Sequence, residues 1–324
     1  MSFDVALELI PGWLLWSTAA VLGLCGGSFL NVVIHRLPRG LSLSHPGSHC
    51  PTCKKPIAAR DNVPLLGWLL LGGKSRCCKE KISPQYPLVE LVGGLMAGAL
   101  VTMKIAPFTH TLTVGQAALL FLSYLSVSLG LVAAAVIDWE HMILPDSITW
   151  GGAGLGIATA WLRPEVTTAS AALGAAVGYL GIWLPFIWAH EKLRGFPGMG
   201  LGDAKLMALA GAWLGPLGAL LTLFAGAVQG TLFAVSALLA TGKIEEPAAV
   251  QQQRADLLQA IDEAEGEEKK ELLREFHSDP LALPPSEAPG GLRVAFGPFL
   301  SLSIIELLLF FEPAQRYLEA FFLL

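Results

Sequence analysis

Apolar stretches long enough to cross a membrane recur along this chain, and no other feature narrows its fold as far. A helical crossing takes about 20 mostly apolar residues. Such stretches cover 13–34, 87–103, 114–137, 148–162, 169–189, 204–214, 217–240 and 294–311. The sixth is short and rich in glycine, and Pro216 parts it from the seventh. The expected fold is an all-α polytopic membrane protein of about eight transmembrane helices, or one fewer if 204–240 crosses only once. Asp4 and Glu8 precede the first stretch without any Lys or Arg, so it lacks the basic start of a cleaved signal peptide. The composition, 53% hydrophobic and 15% charged, excludes a disordered chain. It also excludes nucleic acid as a charge-driven partner and argues against an ordinary soluble enzyme.

Orientation follows from where the basic residues fall, since Lys and Arg stay cytoplasmic. With eight crossings, the loops 35–86, 138–147, 190–203 and 241–293, with Lys205 at a crossing's edge, hold 18 of the 21 Lys and Arg. Lys104, Arg163 and Arg316 fall on the other side. Both termini are therefore expected outside. Five regions result: a first crossing over 1–34, a cytoplasmic cysteine loop over 35–86, a membrane core over 87–240, an insert over 241–293, and a last crossing with its tail over 294–324.

The insert stands apart. Residues 243–279 hold 11 Asp and Glu against 5 Lys and Arg, a net charge of −6. Val250, Leu257, Ile261, Ala264, Leu272 and Phe276 recur near helical spacing, which predicts an amphipathic helix or helix pair. Pro280, Pro284, Pro285, Pro289 and Gly290 then form a linker. The insert is either a solvated helical decoration or a surface for a partner that the sequence leaves unknown.

Two carboxylates sit at the ends of crossings. Asp138 ends the third in AAAVIDWEHMILPD, and Asp203 opens the sixth in GMGLGDAKLMAL. A carboxylate at membrane depth is costly and is kept where it faces a cavity and acts there. Two close carboxylates share a proton, so one can activate a water while the other protonates a peptide carbonyl. Gly200 and Gly202 flank Leu201 without side chains, which opens the approach to Asp203. Asp146 is expected at the start of the fourth helix, as a dipole partner or as a substrate-positioning group. His141 is near enough in sequence to tune Asp138.

The loop carries the other constellation. Cys53-Lys54-Lys55-Pro56-Ile57 parallels Cys78-Lys79-Glu80-Lys81-Ile82. In the first arm Cys50 and Cys53 form a C-P-x-C knuckle suited to tetrahedral zinc. In the second arm Ser75 holds the equivalent position, and the spare thiol is Cys77 beside Cys78. Cys50, Cys53 and Cys78 are expected as ligands of a structural zinc, with the fourth place open to Cys77, His49 or water. Adjacent cysteines rarely turn both sulfurs to one ion, which makes Cys77 the weakest expected ligand. A loop folded without metal and a redox pair are the other readings. Cys25, inside the first crossing, is expected to be a small buried residue. The remaining histidines show no metal spacing.

Together these strings resemble the GxGD-type intramembrane aspartyl proteases, and among them the bacterial type IV prepilin peptidases. The resemblance runs through Gly27 to Pro38 (GSFLNVVIHRLP), Ile82 to Leu91 (ISPQYPLVEL), Asp138 to Asp146, Gly200 to Leu206 and Phe296 to Leu300. It extends from about residue 11 to 305 and breaks at the insert. It implies that Asp138 and Asp203 are catalytic. The implied activity is removal of the short basic leader from prepilins or pseudopilins after a glycine, at the cytoplasmic face of the bacterial inner membrane. It further implies N-methylation of the new N-terminus from S-adenosylmethionine. The residue pattern itself offers no glycine-rich strand-to-helix turn for that cofactor. The resemblance also expects a second CxxC, which Ser75 breaks. The rival readings are a related protease acting on other membrane substrates, a carboxylate-dependent transporter and a non-catalytic assembly scaffold.

Overall fold

The computed structural model describes residues 11–50, 52–108, 112–278, 281–284 and 294–322. The described residues form helices joined by turns and loops, with only two isolated β-bridges, both in the cysteine loop. Helix α1 is Gly12–Arg36, α2 is the short Leu66–Leu70, and α3 is Gln85–Ile105, whose last turn is π-helical. Helices α4 (Val114–His141), α5 (Asp146–Ala158), α6 (Thr168–Arg194) and α7 (Leu201–Thr241) follow. Helices α8 (Ala248–Glu263) and α9 (Gly266–Ser278) form the pair expected in the insert, and α10 is Gly297–Phe322. Pro280, Pro285, Pro289 and Gly290 of the linker, and His110, lie outside the described residues.

Among the described residues, five helices, α1, α3, α4, α6 and α7, are long and apolar enough to cross a membrane. The other expected crossings are less complete. Helix α5 has 13 residues before a 3₁₀ turn at Ala160–Leu162, and α10 is apolar over Gly297–Phe311. The sixth and seventh stretches join in α7, whose 41 residues would extend about 60 Å if straight, twice a hydrocarbon core. The helix is broken where Pro216 predicted. Gly215 adopts φ 72° and ψ −177°, which divides α7 into two arms.

The break leaves carbonyls without donors, because Pro216 has no N–H to give to Ala212 four residues earlier. Arg163 supplies the replacement. Its guanidinium donates to the carbonyls of Trp213 (2.7 Å) and Ala212 (3.1 Å) and to that of Gly156 in α5. It also lies over the Trp213 ring, 4.6 Å from the centroid. This buried arginine, one of the few cations off the basic side, stands in for backbone donors where water is scarce.

Helices α6 and α7 meet backbone to backbone. A Cβ placed on Gly211 would stand 1.9 Å from the Gly174 carbonyl oxygen, so only glycine permits this approach. Such small-residue seams are how helices associate in lipid, where apolar side chains gain nothing by leaving the tails. Cys25 departs from expectation. It is exposed on α1 rather than buried, on a helix whose inner face is marked by Gly23, Gly27 and Leu30.

Candidate active site and cysteine cluster

Asp138 lies one turn before the end of α4 and is 6% exposed. Its Oδ2 accepts the backbone N–H of Gly297 at 3.0 Å, and Gly297 is the first residue of α10. Asp203 is the third residue of α7, and its Oδ2 accepts the N–H of Gly200 at 3.2 Å. That bond is half of a capping box, an acid at N3 reaching back to the N-cap N–H. Each carboxylate thus has one oxygen held at a helix start, where unpaired N–H groups and the dipole favour negative charge. The two acids are close enough to act on each other electrostatically.

Leu144 of the Leu-Pro-Asp string sits between the two helix starts. A Cβ on Gly202 would meet its Cβ at 3.0 Å, and a Cβ on Gly297 would meet its Cδ2 at 3.0 Å. The same Cβ on Gly297 would reach within 2.7 Å of Asp138 Oδ2, so a side chain there would collide with the carboxylate. Gly297 is the functional residue that reading the sequence missed. It appeared only as part of the FGPFL string, and nothing local reveals a partner 159 residues away. An aromatic seam closes the neighbourhood: Trp139 meets Phe233 at 5.2 Å, and Phe233 meets Phe299 at 5.4 Å.

Asp146 opens α5 as expected, but its carboxylate does more than face the dipole. It pairs with Lys205 at 2.5 Å, which ties α5 to the first turn of α7. His141 is buried one turn beyond Asp138, and neither ring nitrogen has a hydrogen-bond partner among the described residues.

The four loop cysteines come together, with all four sulfurs within 4.8 Å of one another. Cys50 and Cys78 are 3.6 Å apart, Cys53 and Cys77 are 3.2 Å apart, and Cys77 and Cys78 are 3.9 Å apart. The sequence repeat is a structural one. Lys54 N–H bonds the Cys50 carbonyl and Cys50 N–H the Lys55 carbonyl; Lys79, Ser75 and Glu80 repeat both bonds. Lys54 and Lys79 share a left-handed backbone, φ 58° and 61°. Two equivalent turns therefore face each other, one presenting Cys50 and Cys53, the other Cys77 and Cys78. Ser75, at the position of the missing cysteine, places its hydroxyl 3.1 Å from the Cys78 sulfur. Both sulfurs of the vicinal pair reach the cluster, that of Cys77, the weakest expected ligand, as well as that of Cys78. His49 is not in it; its Nδ1 lies 3.0 Å from the Gly47 carbonyl. The Cys53 N–H, followed by that of Thr52, lowers the buried Cys50 thiol to about 6. Cys77, through its side-chain hydrogen bond with Cys53, is pushed up to about 11. Four thiols at these separations suit a tetrahedral metal ion, whose sulfur ligands stand about 3.8 Å apart when each bond is 2.3 Å.

The loop is fastened to the membrane helices and to the aspartate region. Arg76 holds Asp61 through a two-pronged ion pair, which keeps the Asp61 carboxyl below the usual range. The Leu65 N–H bonds the Glu90 carboxylate of α3 at 2.8 Å. Gln85 reaches Glu140, two residues beyond Asp138, at 3.1 Å.

Residues 21–104 match the bacterial peptidase A24 N-terminal domain, and residues 125–235 match the type IV leader peptidase family. A prepilin leader peptidase/N-methyltransferase of Aeromonas hydrophila is 40% identical over 258 residues, covering 69% of this chain and 83% of that protein. One from Klebsiella pneumoniae is 42% identical over 215 residues, 62% of this chain and 86% of that protein. The same name is borne by a Pseudomonas aeruginosa protein, 37% identical over 239 residues, 65% of this chain and 78% of that protein. No solved structure matches the chain. With an inner helix bundle carrying both acids and two family models covering its two parts, the chain belongs to the type IV leader peptidase family.

Proposed function

We propose that the chain is a membrane aspartic endopeptidase that removes the leader of prepilins or pseudopilins, cutting after a glycine, with Asp138 and Asp203 as the catalytic pair. The observation that carries this reading is the pair itself: two acids in electrostatic reach, each held through one oxygen by a backbone N–H at a helix start. The remaining oxygens are left for a water and a substrate carbonyl. In the hydrolytic step the ionised carboxylate takes a proton from water, whose oxygen bonds to the scissile carbonyl carbon. The protonated carboxyl gives its proton to the carbonyl oxygen. Collapse of the resulting diol breaks the C–N bond: the leaving nitrogen takes a proton from the first aspartate, and a diol hydroxyl returns its proton to the second, which restores the pair. A shared proton suffices for both roles because like charges this near do not both ionise easily.

The membrane is the bacterial inner membrane, with the pair facing the cytoplasm, supported by the 18 basic residues on that side. Cys50, Cys53, Cys77 and Cys78 hold a structural zinc, which cross-links the two turns. A reducing compartment keeps those thiols available. N-methylation of the new N-terminus from S-adenosylmethionine is supported by the relatives' names. Among the described residues no strand leads into a glycine-rich turn. Incubating the purified protein with a leader-bearing pilin and reading product masses tests both activities. Loss of the leader supports the peptidase reading, and a methyl group on the product supports the second activity. An intact pilin with folded, membrane-embedded protein would refute it.

A further inference from the structure

The cysteine loop contains one element that its own polarity does not explain. Helix α2 is five residues long, and Leu66, Leu69 and Leu70 share one face of it at i, i+3 and i+4. They are 56%, 62% and 82% exposed, while Gly67 and Trp68 on the opposite side pack inward. Trp68 is fixed there, its indole N–H donating to the Ile82 carbonyl and its ring covering Gly73. Three exposed leucines in a loop with nine Lys and Arg and only two acids are costly to leave in water.

The depth of this helix is set by a bond. Leu65, its N-cap, donates to Glu90, which lies five residues into α3 and so about 7 Å along it from Gln85. An interfacial helix sinks its apolar face about 5–10 Å, which this tether allows where the bilayer begins at Gln85, the start of the apolar helix. On another side of α3, Leu88, Leu91 and Leu95 are exposed, on a helix long and apolar enough to cross the membrane. The leucine face of α2 is thus tethered to the first turns of a helix that exposes apolar side chains of its own. The basic residues around it, Arg60 and Lys74 nearest in sequence, suit anionic headgroups.

We propose that α2 is an interfacial foot: Leu66, Leu69 and Leu70 insert into the headgroup–acyl boundary of the bilayer that holds α3, and so fix the height of the cysteine cluster over the membrane. The inference does not depend on the catalytic reading. It is tested with full-length protein in nanodiscs of phosphatidylethanolamine and phosphatidylglycerol, carrying the photoreactive residue p-benzoylphenylalanine at Leu70 or, in a second variant, at Glu80. Both side chains are exposed, so neither replacement disturbs packing. After irradiation, peptides containing position 70 should gain the mass of a phospholipid, and those containing position 80 should not. Equal lipid labelling at both positions, no lipid adduct at 70, or a cross-link from 70 to a second copy would overturn the proposal. So would transfer of the position-70 adduct from lipid to an added prepilin, which would give the face to substrate.

Discussion

The aspartate pair and the cysteine cluster are assembled by opposite means. Asp138 is held by Gly297, 159 residues away, and its neighbour Asp203 arrives on a helix that depends on backbone contact at Gly174 and Gly211. The cysteines come from two short turns whose sulfurs bridge 24 and 28 residues, each turn closed by its own backbone bonds. Long-range packing positions the first site, and local turn chemistry positions the second. Faults in one should therefore leave the other largely intact, even though Gln85 and Glu140 connect them.

The strongest break falls on the pair. Asp138→Asn or Asp203→Asn should each lower leader cleavage by at least about 10³-fold, because groups acting as a unit fail together. Each variant should still co-purify with its metal. A single variant retaining a tenth of wild-type cleavage would end the aspartyl mechanism.

Gly297→Ala tests the long-range half without touching a carboxylate. The added methyl would stand 2.7 Å from Asp138 Oδ2 and 3.0 Å from Leu144, so the acid or α10 must move. A displacement of this size costs on the order of 10²-fold in rate. Metal content should not change. Full cleavage by Gly297→Ala would show that the contact to α10 does not position the pair.

The cysteine cluster breaks in the other direction. Cys50→Ser, Cys53→Ser, Cys77→Ser and Cys78→Ser should each lose most bound zinc, since all four sulfurs converge. Cleavage should fall far less than in the aspartate variants. The double change Cys77→Ser with Ser75→Cys should restore metal, because Ser75 already stands beside the Cys78 sulfur in the turn that mirrors Cys50. Metal analysis of the purified variants decides it, and zinc retained by Cys77→Ser would return that residue to the periphery.

What the sequence disclosed follows the same division. The helices could be read from it because apolar length and the Pro216 break are local signals, and so could the cysteine turns, because their repeat is written twice. The acid pair was legible as two motifs on one expected face. The donors that hold those acids were not, since Gly297 and Arg163 act across the bundle. Arg163 looked like a stray charge between two crossings, yet it serves the carbonyls of Ala212 and Trp213 at the α7 break. Adjacent cysteines in a strand or helix diverge, whereas the left-handed Lys79 ends a turn tight enough to bring the sulfurs of both Cys77 and Cys78 into the cluster. Arg163→Met should strand these carbonyls and lower stability by about 2–4 kcal/mol, with Arg163→Lys recovering part. Thermal melting in detergent reads this, and an unchanged midpoint would mean that the break is held some other way.

The smallest effect belongs to Asp146, the third acid near the site. Its carboxylate meets Lys205, two residues after Asp203, but it is 64% exposed while Lys205 is 17% exposed. An ion pair open to solvent is worth about 0–1 kcal/mol, so Asp146→Asn should lower kcat/KM by about fivefold or less. Lys205→Met should match it, and the double variant should be no worse than either, since one contact is removed in each case. Raising the salt concentration should shrink the gap to wild type, because the surviving attraction is screened. A thousandfold loss on Asp146→Asn, unmoved by salt and unmatched by Lys205→Met, would instead put Asp146 among the reacting carboxylates and reopen which two acids form the pair.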